Sequence, residues 1–172
     1  SDYTDMSATS LLDVRNRCYS RELMALYDLS EAFDALPPLV HSHEVAGQVT
    51  TTAARETGLA TGTPVVGGLF DVDASAIGAG AIHVNQACLV IGSWSINDVI
   101  TREPIVDPAL FMTTLFASDG LFLTIEGSAT SATNLEWFVN QCCGDERGEA
   151  KRRGISVYEV CNEEVASLPP GS

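Results

Sequence analysis

The residues best placed to do chemistry are Asp71 and Asp73. They follow an apolar run, Val65–Phe70, and precede a string of small residues, Ala74–Ala81. The apolar run reads as a buried strand of a parallel sheet and the small residues as a tightly packed helix. In open α/β sheets ligands bind at the carboxyl ends of strands, so a carboxylate at this junction is positioned for a reaction. Three readings follow. Asp71 is a general base that takes a proton from a substrate hydroxyl. Alternatively, Asp71 and Asp73 are the nucleophile and acid of an aspartate-dependent phosphatase. That class has Asp-x-Asp-Gly-Thr, whereas Ala74 and Ser75 stand here, and the sole lysine, Lys151, lies in a charged surface run. In the third reading one of the two carboxylates only caps the following helix. Spacing alone leaves catalysis and capping both open.

A second candidate is Ile91-Gly92-Ser93-Trp94-Ser95, where a strand ends in small residues. Such a turn lets backbone amides approach a phosphate. It is equally a tight turn between antiparallel strands, and it lacks the second glycine of a nucleophile elbow. Gly78-Ala-Gly80-Ala-Ile-His83 lacks the third glycine of a dinucleotide fingerprint. His41-Ser-His43-Glu44 has metal-ligating residue types, but it sits in a polar loop after Pro37-Pro38 and reads as surface. Trp137 and Phe138, at helical spacing, read as core.

The elements that must position these residues alternate. Ser10–Val14 reads as a strand. Ser20 caps a helix over Arg21–Tyr27, and a second helix spans Glu31–Leu36 before the double proline. Val45–Val49 is a strand. Thr51–Gly58 is a helix capped by Thr50 or Thr51 and closed by Gly58. Alternation of this kind implies an α/β layer with parallel strands. Beyond Gly80 the order changes to three strands, Ala87–Ile91, Ile96–Thr101 and Leu121–Ile125. A helix over Ala129–Gln141, a charged surface segment Arg147–Gly154 and a last helix over Ile155–Val165 follow. Pro169–Ser172 trails off. The change of pattern places a domain boundary near Gly80–His83.

The totals narrow the classes. With 172 residues the chain makes one domain or two small halves. Hydrophobic residues at 45% and charged residues at 19% describe a globular chain. Nine Lys and Arg against 23 Asp and Glu give a net charge of -14, which disfavours nucleic acid and anionic membranes as partners. No apolar run reaches membrane-spanning length. The five cysteines are odd in number and have no C-x-x-C spacing, so reduced thiols in a cytoplasmic protein are expected. The opening Ser-Asp-Tyr-Thr-Asp reads as the interior of a longer protein.

In order along the chain, several motifs resemble the FGGY family of carbohydrate kinases. They are Ser1–Asp13, a Ser/Thr-rich stretch before Leu-Leu-Asp; Gly67-Gly68-Leu69-Phe70-Asp71 with its small helix; Val90-Ile91-Gly92-Ser93-Trp94; and Glu126-Gly-Ser-Ala-Thr-Ser-Ala-Thr-Asn-Leu-Glu-Trp-Phe138. Within the family the wording is most like the L-xylulose kinase branch. The resemblance implies an α/β, actin-like ATPase (ribonuclease H-like) fold, with parts of two domains meeting at a cleft. Residues 1–82 would be the C-terminal part of the family's first domain and 83–172 the N-terminal part of its second. It implies transfer of the ATP γ-phosphoryl group, with Mg²⁺, to a hydroxyl of a ketopentose or related polyol. Asp71 falls on the family's catalytic base, and Gly92 and Ser93 on its phosphate-contacting turn. It assigns no metal ligands and no role to Asp73, which stays a neighbouring carboxylate with an electrostatic or metal-supporting task. The small-molecule sugar is the expected partner, and a homodimer is compatible with it. The family's glycine-rich phosphate hairpin lies upstream of Ser1 and its adenosine pocket downstream of Ser172, so these residues alone are expected to be inactive. A non-catalytic actin-like nucleotide-binding or scaffold module is the alternative.

Overall fold

A computed structural model describes residues 1–169 and 171; within the Pro169–Ser172 tail, Pro170 and Ser172 lie outside the described residues. The chain forms two compact units, Ser1–Val90 with Ile96–Gly127, and Ile91–Ser95 with Ser128–Ser172. This grouping follows compactness. The evolutionary division expected at residues 82 and 83 is a different quantity.

The first unit begins with helix α1 (Tyr3–Ser7), capped by Asp2, whose carboxylate accepts hydrogen bonds from the Thr4 and Asp5 amides. Strands β1 (Leu12–Asp13) and β2 (Cys18–Tyr19) form a short antiparallel hairpin. Helix α2 (Arg21–Leu26) carries the expected Ser20 cap, and the next segment is a 3-10 turn over Ser30–Ala35. Strand β3 (Val45–Gln48) pairs antiparallel with β4 (Pro64–Val66), across helix α3 (Thr51–Thr57), which Thr50 caps and Gly58 closes at φ +78°. The strand before Asp71 is therefore three residues long, antiparallel and exposed, not a buried parallel strand. Past the strand the Gly67 and Gly68 amides donate to the Glu44 and Ser42 carbonyls, and Gly67 lies so close to the His41 backbone that a Cβ there would meet the His41 carbonyl oxygen at 2.6 Å.

Helix α4 spans Asp71–Gly78. It packs on a four-stranded sheet of order β5 (Ala87–Ile91), β6 (Ser95–Thr101), β8 (Phe122–Ser128), β7 (Met112–Leu115). Strands β7 and β8 run antiparallel in register from Met112–Ile125 to Leu115–Phe122. The core beneath the helix is Val72, Ala76, Ala81, Cys88, Ile100, Phe116, Leu123 and Ile125. Small residues along α4 let its backbone lie close to the sheet. A second cluster, Leu12, Leu115 and Phe122, joins the β1 hairpin to β7 and β8.

The second unit contains helices α5 (Ala132–Cys142), α6 (Gly144–Arg153) and α7 (Val157–Val165). The segment expected as a charged surface stretch is α6. Helix α7 opens with a reciprocal capping box between Ser156 and Glu159. Trp137 and Phe138 are half-exposed or more on α5, not core, because the buried side of that helix is Val139.

Candidate functional site

Asp71 is the first residue of α4, and Asp73 the third. On a helix, residues two apart point about 200° away from one another. The two carboxylates therefore part company: Asp71 is exposed, and Asp73 is 0% exposed. A loop reading places both at the mouth of the sheet; the helix begins three residues earlier than expected and separates them. Neither carboxylate caps α4. The N-cap residue is Phe70, with no side-chain bond to the helix, and Asp73 Oδ1 instead accepts the Ala117 amide at 2.9 Å. A negative charge in the first turn still suits the helix dipole, which favours Asp71 there.

Hydrogen bonds fix this helix start on both sides of Asp71. Before it, the Phe70 amide donates to Thr4 Oγ1 at 2.7 Å, and the Thr4 hydroxyl donates to Asp2. After it, Asp73 holds Ala117. Helix α1 also grips β7, because Ser7 Oγ accepts the Leu115 amide at 2.9 Å. Thr4, Ser7 and Asp73 thus bind three backbone amides that flank the turn into α4 and the end of β7.

The electrostatics are those of crowded acids. Burial pushes the Asp73 carboxyl up to about 7; the Ala117 amide opposes this, and the charges of Asp2, Asp98 and Asp5 add to it. Asp98, buried on β6, is pushed up to about 6 by burial. Asp73 Oδ2 and both Asp98 oxygens are buried without a hydrogen-bond partner among the described residues. Asp5 is raised by partial burial, by its hydrogen bond to and the charge of Asp2, and by the charge of Asp71. So the buried Asp2 and the exposed Asp5 and Asp71 lie close enough to repel one another near the N-terminal end of α4.

Gly92 and Ser93 lie in the second unit, and Asp71 in the first. The Gly92 amide donates to the Trp94 carbonyl at 3.0 Å and closes a tight turn. The Gly92 and Ser93 carbonyls accept the Ala132 and Ser131 amides, at 3.0 and 2.9 Å, and so satisfy the first donors of α5. Among the described residues no group of three or more His, Cys, Asp or Glu is arranged to hold a metal. His41 instead pairs through Nδ1 with Asp119 at 3.3 Å, and its amide donates to Glu44.

Thr4, Asp98 and Ala117 carry no motif. One signal for Asp98 was legible: in Ile96-Asn-Asp-Val-Ile100, alternation puts Asp98 on the same face as Ile100, facing the core. Asp2 carried the ordinary helix-start signal of an Asp followed by an acidic residue three positions later.

Residues 1–78 match the FGGY family of carbohydrate kinases, N-terminal domain. Over 170 residues the chain is 35% identical to a probable L-xylulose kinase of Haemophilus influenzae, covering 98% of this chain and 33% of that one. It is 37% identical over 169 residues to the L-xylulose/3-keto-L-gulonate kinase of Escherichia coli, covering 96% and 31%. The crystal structure of xylulose kinase from Rhodospirillum rubrum superposes with a TM-score of 0.79 at 29% identity, over 94% of this chain and 31% of that one. The fold is the mixed α/β, actin-like ATPase fold of these sugar kinases. The chain spans about a third of the length of the curated relatives it matches.

Proposed function

We propose that the chain is a segment of an FGGY-family carbohydrate kinase, and that the polypeptide carrying it transfers a phosphoryl group from ATP to a sugar hydroxyl; the family match over residues 1–78 and the likeness to L-xylulose kinases support this. The acceptor is a ketopentose such as L-xylulose or a related polyol, as the names of the relatives suggest. Residues 1–82 serve as the end of the first family domain and 83–172 as the start of the second. A cytoplasmic location and a homodimer go with this reading. No helix among the described residues is long and apolar enough to cross a membrane.

The observation that carries the reading is the placement of Asp71. It is an exposed carboxylate at the first position of a helix whose start is tied to α1 on one side and to the end of β7 on the other. Such a group is fixed in position yet open to a substrate, as a general base must be. It takes the proton from the attacking hydroxyl as the phosphoryl group arrives. Catalysis of this transfer is mostly positioning and charge stabilisation. The Gly92–Ser93 turn is assigned to the ATP phosphates. Since the Gly92 amide is engaged within the turn, the Ser93 amide and hydroxyl carry that contact.

Among the described residues no group of three or more His, Cys, Asp or Glu is arranged to hold a metal, so Mg²⁺ would be held mainly through the ATP phosphates and water, with at most single carboxylates from this chain. Bound there, Mg²⁺ would supply charge neutralisation on the phosphates. The 172-residue chain alone is proposed to be inactive.

The test is Asp71→Asn in the full-length polypeptide, assayed by coupled ADP release with L-xylulose. A loss of about 10²–10⁴ in kcat with KM little changed supports the base. Turnover within about threefold of the unaltered enzyme removes it. ADP release by the 172-residue chain above its own Asp71→Ala control would overturn the proposed inactivity.

A further inference from the structure

We infer that Asp73 is a positioning residue, whose buried carboxyl bonded to the Ala117 amide sets how α4 presents Asp71. The reaction it would serve is the one proposed above. Three observations converge on it. First, the bond joins residues 44 apart in sequence, so it ties α4 to the segment leaving β7 and cannot be replaced by local helix bonding. Second, it complements the Thr4–Phe70 bond: Asp71 lies between a tethered residue before it and a tethered residue after it. Together with the packing of Val72 and Ala76, the two bonds fix the helix start on both sides of Asp71. Third, the position is a costly place for an acid. Asp73 is fully buried, one of its oxygens has no partner among the described residues, and the charged groups that act on it, Asp2, Asp5 and Asp98, are all acidic. An apolar residue would pack there without that cost. A side chain with an acceptor oxygen is what the Ala117 amide needs, and the aspartate supplies it at the right reach.

This differs from the electrostatic or metal-supporting task expected of Asp73 from sequence. Its carboxyl points into the core, on the opposite side of α4 from Asp71, and reaches the reaction only through the helix.

The experiment is a double-mutant cycle in the full-length kinase, with Asp73→Ala and Asp71→Ala singly and together, and Asp73→Asn as the conservative variant. Turnover is measured per folded protein at a temperature well below unfolding. A residue that acts through Asp71 lowers kcat about tenfold or more when truncated in the unaltered enzyme, and less than about twofold when Asp71 is already alanine. KM values for sugar and ATP stay within about threefold, and Asp73→Asn, which keeps the acceptor, recovers most of kcat. An equal loss in both backgrounds marks a purely structural residue and overturns the inference, as does full turnover in Asp73→Ala. If Asp73→Ala does not fold, Asp73→Asn decides: a drop of about tenfold or more in that variant overturns the inference. Failure of the kinase reading is separate, since Asp71→Ala would then leave turnover intact.

Discussion

The Thr4 hydroxyl oxygen accepts the Phe70 amide at 2.7 Å, a contact between residues 66 apart in sequence, while its own proton goes to Asp2. One hydroxyl, buried at 1% exposure, thereby links the cap of α1 to the residue before Asp71. Thr4→Val keeps the shape and removes both bonds. The expected cost is about 1–3 kcal/mol, the penalty for stranding buried polar partners. Thr4→Ser keeps the bonds and should lose less than about 1 kcal/mol. Urea unfolding of the 172-residue chain, followed by far-UV circular dichroism, distinguishes the two. Equal midpoints for Val and the unaltered chain would show that the bond contributes nothing.

Stability should fall as the pH rises from about 4 to about 7. Asp73 and Asp98 have folded values of about 7 and about 6, above the ordinary 3.8 of a free carboxyl. Below the ordinary value both states hold the proton, and the fold carries no penalty. Between it and the raised value the unfolded chain has released the proton and the folded chain has not, so stability drops as pH rises. The loss is complete above the raised value. For Asp73 this amounts to roughly 4 kcal/mol. Asp13 works in the opposite sense: bonds from Asn16 and Arg15 hold its carboxyl low, and its contribution disappears on acidification. The maximum should therefore lie near pH 4. A pH series of urea midpoints tests this, and Asp73→Asn with Asp98→Asn should flatten the limb between about pH 4 and 7. A limb unchanged by that pair would assign the effect to general charge repulsion.

Gly67→Ala should destabilise by about 1–3 kcal/mol, because its Cβ would meet backbone, which cannot move aside as a side chain does. The clashing atoms are the His41 carbonyl oxygen at 2.6 Å and Val40 Cγ2 at 2.9 Å. Gly47, on the neighbouring strand, has nothing within 4 Å of the same added atom. Gly47→Ala is the control, expected within about 0.5 kcal/mol of the unaltered chain. Thermal midpoints for the two should differ, and coincident midpoints would contradict the close approach at Gly67.

In the second unit, Ser156→Ala should cost about 1 kcal/mol by opening the capping box of α7. The bond lost is to the Tyr158 amide at 3.2 Å, and the Glu159 bond to the Ser156 amide at 2.8 Å loses its counterpart. Helix content should fall in the α7 region by hydrogen exchange. Unchanged exchange there would mean that helix packing alone holds the end.

Much of the local structure was legible because it is written in short-range chemistry. Ser20 and Thr50 cap the helices they were expected to cap, and Gly58 takes the left-handed closing position. The strand Ala87–Ile91 has the bounds its apolar run suggests. What failed was long-range. Val65 and Val66 look like core, and only pairing with Val45–Gln48 shows them to be exposed on a two-stranded ribbon. Helix α6 buries only Ala150, so it has no apolar period to read; its signal was ionic, with Glu149 three and four residues before Arg152 and Arg153. Asp71 stood out in the sequence by residue type and position. The groups that hold it in place did not, because Thr4 and Ala117 are common residues that matter only through one bond each.

Trp94 and Trp137 are the only tryptophans, both belong to the second unit, and both are at least half-exposed. Trp137 reports α5, while Trp94 sits in the turn that joins β5 to β6 and so reports the edge of the sheet as well. An unfolding curve read by tryptophan fluorescence would follow α5 and the β5–β6 edge of the sheet, and would register the melting of α4 and the β1 hairpin only through them. A signal that covers every helix and strand, such as the far-ultraviolet spectrum, would register it. Comparing the two traces on a single sample asks whether the units come apart together or in turn.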